Sequence, residues 1–183
     1  MRATKHPFAC LASSVAGDWS RPARRGVLTL IIALVVAACA GAPPGQPGQS
    51  APPLSGTTLD GSTLDLAALR GSPVVVNFWK SDCVPCRDEF PLLKTALADH
   101  AREGLAIVGV DFRDSDDLAR AFEQQFGATW PSITDPDHSR QSAWGVVAPP
   151  QTYFIGRDGV IKSRQIGQLT SNDLDRQLDA ILR

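Results

Sequence analysis

The chain has 183 residues, 43% of them hydrophobic, and a formal net charge of −1. That is enough for one domain with its own core. The charge is unevenly spread: residues 1–38 hold Arg2, Lys5, Arg21, Arg24 and Arg25 against Asp18 alone, which leaves a net of −5 on the rest. With no basic stripe and no interleaved aromatics, nucleic acid is excluded as a partner class.

Arg21, Arg24 and Arg25 precede an apolar run from Gly26 to Ala38 (GVLTLIIALVVAA). It is too short to span a bilayer comfortably and has the length of a signal-peptide apolar region, so residues 1–38 are read as a signal peptide. The run ends in Val36-Ala37-Ala38-Cys39, which resembles a bacterial lipobox. On that resemblance Cys39 is the site of lipid attachment, and the domain sits at the extracytoplasmic face of the bacterial cell membrane without a spanning helix. The alternative is a small-residue cleavage site with an incidental cysteine, which gives a secreted or periplasmic domain. Residues 39–56 are rich in Pro, Gly, Gln and Ser with almost no apolar bulk, and are read as a disordered tether. The globular domain is then 57–183.

Within it, Asp60-Gly61 lies between two short alternating runs over Thr57 to Leu66, a hairpin signal. Val74 to Phe78 (VVVNF) is a continuous apolar run, as in a buried central strand. A helix is expected from Cys83 to about His100, kinked at Pro91. Leu105 to Val110 forms a second buried strand. Ser115 to Phe126 is a helix capped by Asp114 or Ser115, with Leu118, Phe122 and Phe126 on its inner face. A short strand at Ile133, a short helix over Ser139–Trp144, a hairpin (Gln151–Ile155 and Val160–Ile166) and a final helix capped by Thr170 complete the order. A hairpin followed by βαβαβαββα predicts an α/β sandwich with a mixed central sheet and flanking helices.

Of the four cysteines, Cys10 falls in the leader and Cys39 at its end. Cys83 and Cys86 remain, too close together for a useful structural staple, and their spacing suits redox or metal chemistry. The pair follows a buried strand and opens a helix. Unpaired N–H groups and the helix dipole there stabilise a thiolate, so Cys83 is expected to be the nucleophile. Cys86, one turn inside, is expected to resolve a mixed disulfide. Pro85 pre-sets the first turn.

The stretch Asn77-Phe78-Trp79-Lys80-Ser81-Asp82-Cys83-Val84-Pro85-Cys86-Arg87-Asp88-Glu89-Phe90-Pro91 resembles the thioredoxin superfamily, specifically its TlpA/ResA/DsbE-like branch of exported, membrane-anchored thiol–disulfide oxidoreductases. The resemblance extends over roughly residues 54–183 and implies a thioredoxin-like sandwich with an N-terminal β-hairpin and a helix–strand insertion between Ser115 and Ile133. Gly145 to Ile155 (GVVAPPQTYFI) resembles the branch's segment whose proline is cis and faces the cysteines, which assigns that role to Pro150. Glu89, three residues after the second cysteine, matches the branch's proton-handling carboxylate; the bland alternative is a solvated helix acid. Trp79 is expected to pack under the site. One departure is Asp82, where the branch usually has Trp; its charge opposes a Cys83 thiolate unless Lys80 or Arg87 offsets it.

The function implied is reduction of disulfides in exported proteins, apocytochrome c among them, with a membrane thiol-transfer protein as electron donor and no cofactor. A copper-delivery module is the alternative from another class, although its C-x-x-x-C spacing is one residue longer than the spacing here. His100 and His138 are read as surface histidines rather than metal ligands. A peroxiredoxin would want Ser or Thr at position 80 and Pro at position 76, where Lys80 and Val76 stand. A tethered domain that has lost catalysis is a further reading, with Asp82 as its motive.

Overall fold

This computed structural model describes residues 42–183. The expected signal peptide and the lipid-attachment residue Cys39 lie outside the described residues.

The elements follow the predicted order. A hairpin of β1 (Ser55–Thr57) and β2 (Thr63–Asp65) leads through a 3-10 turn to β3 (Val74–Trp79) and α1 (Val84–Asp99). Then come β4 (Ala106–Asp111), α2 (Asp116–Phe126), β5 (Ser132–Thr134), α3 (Ser139–Trp144), β6 (Gln151–Ile155), β7 (Ile161–Ile166) and α4 (Ser171–Leu182). The main sheet runs β5-β4-β3-β6-β7. Its β3–β4 and β4–β5 pairs are parallel, while β3–β6 and β6–β7 are antiparallel. This is the mixed sheet of a thioredoxin-like sandwich.

Strand β3 is central and all six of its residues are buried. Successive side chains point to opposite faces, so one strand feeds two cores. Val74, Val76 and Phe78 join Val108, Val110, Tyr153, Trp144 and Leu54 on one face. Val75 and Trp79 join Phe90, Leu93, Phe122, Phe154, Leu174, Leu178 and Ile181 on the other. Each large apolar side chain buried this way contributes about 1.5–3 kcal/mol.

Local signals account for the helix ends. Cys83 and His100 cap α1. Ser115 Oγ accepts the Leu118 amide at the start of α2, and Thr170 and Asp173 form a reciprocal capping box on α4. The inner face of α2 differs from expectation: Ala119 and Phe122 are buried and Leu118 is 56% exposed. The helix presents a 119–122–126 stripe to the core: Phe122 and Phe126 face inward as predicted, and Ala119 takes the place of Leu118.

The larger correction concerns the expected disordered tether. Residues 44–56 lie on the domain. Gly48 N donates to Ile161 O, Ile161 N to Gln49 O and Ala51 N to Gly159 O, at 2.8–2.9 Å. Ser50 and Val160 form an antiparallel bridge. Leu54 is 2% exposed and closes the core lined by Val76, Phe78 and Trp144. Gly45 has φ +69°, and a Cβ there would stand 2.1 Å from the Trp144 carbonyl oxygen. A segment can therefore be ordered with little apolar bulk when its backbone pairs with a strand edge and one leucine fills a core position.

Candidate active site

Strand β3 ends at Trp79, and residues 80–83 turn directly into α1. Cys83 is the N-cap residue of that helix, in extended backbone conformation. It is half-buried, whereas Cys86 is fully buried. The two are joined in a disulfide with their Cα atoms 5.3 Å apart. The Cys86 amide donates to Cys83 Sγ at 3.2 Å, so a first-turn donor is aimed at the outer sulfur. Pro85 occupies the first turn, where a missing N–H costs nothing.

Trp79 forms the floor. Its ring stacks on Phe122 with centroids 4.9 Å apart and meets the edge of Phe90 at 5.2 Å. The approach depends on Gly109 in β4, where a Cβ would stand 2.8 Å from Trp79 Nε1.

Strand β6 pairs antiparallel with β3, with Phe78 opposite Gln151. The loop before β6 thus reaches the end of the sheet from which Cys83 emerges. The Pro149–Pro150 peptide bond in that loop is cis, and the Pro150 carbonyl accepts the Gly167 amide at 3.0 Å. At this end of the sheet Val84, Val147 and Ile166 are 64%, 89% and 63% exposed. Val84 adjoins Cys83, Val147 lies in the loop with the cis bond, and Ile166 stands opposite Gln151 at the start of β6.

Glu89 lies beneath the pair, one turn after Cys86 on the same face of α1. It is fully buried, which excludes the solvated-acid alternative. Leu169 N donates to its Oε1 at 2.5 Å and Asn77 Nδ2 to its Oε2 at 3.3 Å. The same Asn77 amide donates to Thr152 Oγ1 at 2.9 Å. Burial pushes the Glu89 carboxyl up from 4.5 to about 7, against the pull of the two donors. A buried carboxyl poised there can take or return a proton at neutral pH.

Of the two cations expected to offset Asp82, Lys80 does so, with Nζ 2.6 Å from Asp82 Oδ2 on an exposed loop. Arg87 turns away to the Ser81 carbonyl at 3.2 Å. The Ser81 amide donates to Asp114 Oδ2 at 2.6 Å, and the Asp114 amide to Asp111 Oδ2 at 2.9 Å. Asp111 is fully buried. Burial, then the neighbouring Asp114 charge, push its carboxyl up from 3.8 to about 8. The sequence marked Asp114 only as a possible helix cap and did not mark Asp111. An aspartate closing an apolar strand run, three residues before a second aspartate, was the available signal.

His100 is the C-cap residue of α1. His138 Nδ1 lies 3.0 Å from both Arg113 Nε and Gln141 Oε1. Among the described residues no three His, Cys, Asp or Glu side chains cluster as a metal site, and no helix is long and apolar enough to cross a membrane.

The AhpC/TSA family profile matches residues 47–164. Among characterised proteins, the thioredoxin-like protein YneN of Bacillus subtilis is 33% identical over 137 residues, covering 73% of this chain and 79% of YneN. The thiol-disulfide oxidoreductase ResA of Bacillus thuringiensis is 29% identical over 136 residues, covering 74% and 79%. The crystal structure of a thiol:disulfide interchange protein DsbE from Chlorobium tepidum superposes with a TM-score of 0.70 at 27% identity, covering 75% of this chain and 99% of that one. With its half-buried Cys83 bonded to Cys86 at a helix start, the chain belongs to the AhpC/TSA family and is a thioredoxin-like thiol–disulfide oxidoreductase of the ResA/DsbE kind.

Proposed function

We propose that the protein reduces disulfides in exported proteins, apocytochrome c among them, on the extracytoplasmic side of a bacterial membrane. The observation that carries this reading is the geometry of the pair: a half-buried sulfur at the helix start that accepts the Cys86 amide, and a fully buried sulfur one turn in. In the reduced protein the Cys83 thiolate attacks one sulfur of a substrate disulfide. That bond breaks, a mixed disulfide forms, and the first substrate sulfur leaves as a thiolate that takes up a proton. Glu89 accepts the Cys86 proton, and Cys86 attacks the Cys83 sulfur. The second substrate thiol departs, and two electrons have passed from the protein to the substrate. Pro150 and the exposed Val84, Val147 and Ile166 receive the substrate chain. Pro149 has no N–H, so that position offers the chain no donor. A membrane thiol-transfer protein returns the pair to its reduced form.

Equilibrating the Cys83/Cys86 pair with defined thiol buffers tests the direction. A potential in the thioredoxin range supports a reductant, and one in the range of strong oxidants such as DsbA overturns it. Lipid attachment at Cys39 completes the proposal. It is supported by the Val36-Ala37-Ala38-Cys39 sequence, and Cys39→Ser in a bacterial host should abolish lipid labelling and release the domain from membranes.

A further inference from the structure

The segment joining β3 to the redox helix is held from two sides. On one side Arg87, from α1 itself, donates to the Ser81 carbonyl. On the other the Asp114 carboxylate accepts the Ser81 amide at 2.6 Å from the β4–α2 loop, 33 residues away in sequence. That loop is anchored in turn. Phe112 N donates to Trp79 O at 2.7 Å, and Asp111, opposite Trp79 in the sheet register, accepts the Asp114 amide. Asp111 Oδ1 is buried and has no hydrogen-bond partner among the described residues.

We propose that Asp114, aimed by the buried carboxyl of Asp111, is a positioning residue that clamps the Ser81 peptide and thereby holds Cys83 at the helix start where the Cys86 amide meets its sulfur. The clamp acts through Ser81 and Cys83 and touches neither substrate nor the reacting sulfurs. It rests on Cys83 being the attacking sulfur.

The clamp is sensitive to pH because its two carboxyls are close. Facing Asp111 are Asp114 and Lys80, the latter already engaged by Asp82. Thr134 of β5 stands opposite Asp111 in register, and Asp135, just after β5, donates its amide to the Asp111 carbonyl and sits 3.6 Å from Arg140. From the same loop comes Arg113, bonded to His138. Below about pH 8 Asp111 is neutral, and a neutral acid beside the Asp114 carboxylate is compatible with it. Above that pH it ionises, two like charges face each other, and the Asp114–Ser81 bond weakens.

The test uses the oxidised protein, in which neither thiol titrates, and follows the Ser81 amide by 1H–15N NMR from pH 6 to 9.5. The proposal expects a downfield Ser81 amide that moves with a midpoint near 8 in the wild type and stays still in Asp111→Asn. That variant keeps an oxygen for the Asp114 amide but cannot ionise. A Ser81 shift that is flat in the wild type, or that titrates identically in Asp111→Asn, overturns it. In the reduced protein, Asp114→Ala should move the Cys83 alkylation profile to higher pH and slow exchange about tenfold at pH 7, and Asp114→Asn, which keeps an acceptor, should recover most of the rate. Equal profiles for wild type, Asp114→Ala and Asp114→Asn overturn the positioning role. If Asp114→Ala does not fold, the wild-type and Asp111→Asn titrations still decide. An error in assigning Cys83 as nucleophile would change the alkylation results and leave the oxidised-state titration untouched, so the two failures are distinguishable.

Discussion

Asn77 Nδ2 donates to Glu89 Oε2 at 3.3 Å across the interior, from the central strand to the redox helix. The neutral amide favours the ionised carboxyl without cancelling its charge, and burial works the other way. The balance leaves Glu89 near 7, where a cationic partner would have held it much lower.

Glu89→Gln keeps the shape and loses the proton. Exchange should slow by about 10²-fold at neutral pH, and the inflection near 7 should vanish from the pH–rate profile. Stability should move in the opposite direction. Because the folded-state pKa is raised, ionising Glu89 costs stability as pH climbs from its unfolded value to about 7, and the full cost persists above that. Glu89→Gln should therefore be more stable than wild type at pH 8, by on the order of 2–3 kcal/mol, and the gain should disappear near pH 4. Urea unfolding at the two pH values checks the sign.

Asn77→Ala removes a donor that favours the carboxylate, so the rate inflection assigned to Glu89 should move to higher pH. The Thr152 hydroxyl loses its partner as well, and a cost of about 1–3 kcal/mol is expected. An inflection that stays in place would show that the amide does not act on Glu89.

Lys80 and Asp82 form one exposed pair beside Cys83. Lys80→Gln unmasks the Asp82 charge, and the Cys83 alkylation profile should move to higher pH, more at low ionic strength than at high. Asp82→Trp removes the carboxylate and leaves Lys80 unpaired, so the profile should move to lower pH. Thiolate absorbance against pH checks both directions.

Leu54→Ala should destabilise the domain by about 2–4 kcal/mol in urea unfolding, since it empties a core position on the face lined by Val76, Phe78 and Trp144. A genuinely loose tether would tolerate the change with no shift in midpoint.

How much of this was legible in the sequence follows the range of the interactions. The Asp60-Gly61 turn, the Ser115 and Thr170 caps and the start of α1 at Cys83 are written in residues a few positions apart, and each appears where expected. Glu89 and Pro150 came from resemblance, and the structure supplies what surrounds them. The Leu169 amide reaches Glu89 from 80 residues away, and no spacing rule predicts that. The Asp114–Ser81 bond is hidden for the same reason. The order of segment 44–56 is not legible because composition registers missing apolar bulk and not backbone pairing to a strand edge.

The central claim is that Cys83 attacks and Cys86 resolves, and trapping tests it most directly. Reduced Cys86→Ala and Cys83→Ala variants are mixed with a disulfide-bearing exported protein, quenched in acid and mapped by peptide mass. The account predicts a stable mixed disulfide on Cys83 in Cys86→Ala and almost none in Cys83→Ala, where the remaining sulfur is fully buried. Adducts that form on Cys86 in Cys83→Ala, at rates matching or exceeding those on Cys83, would contradict it.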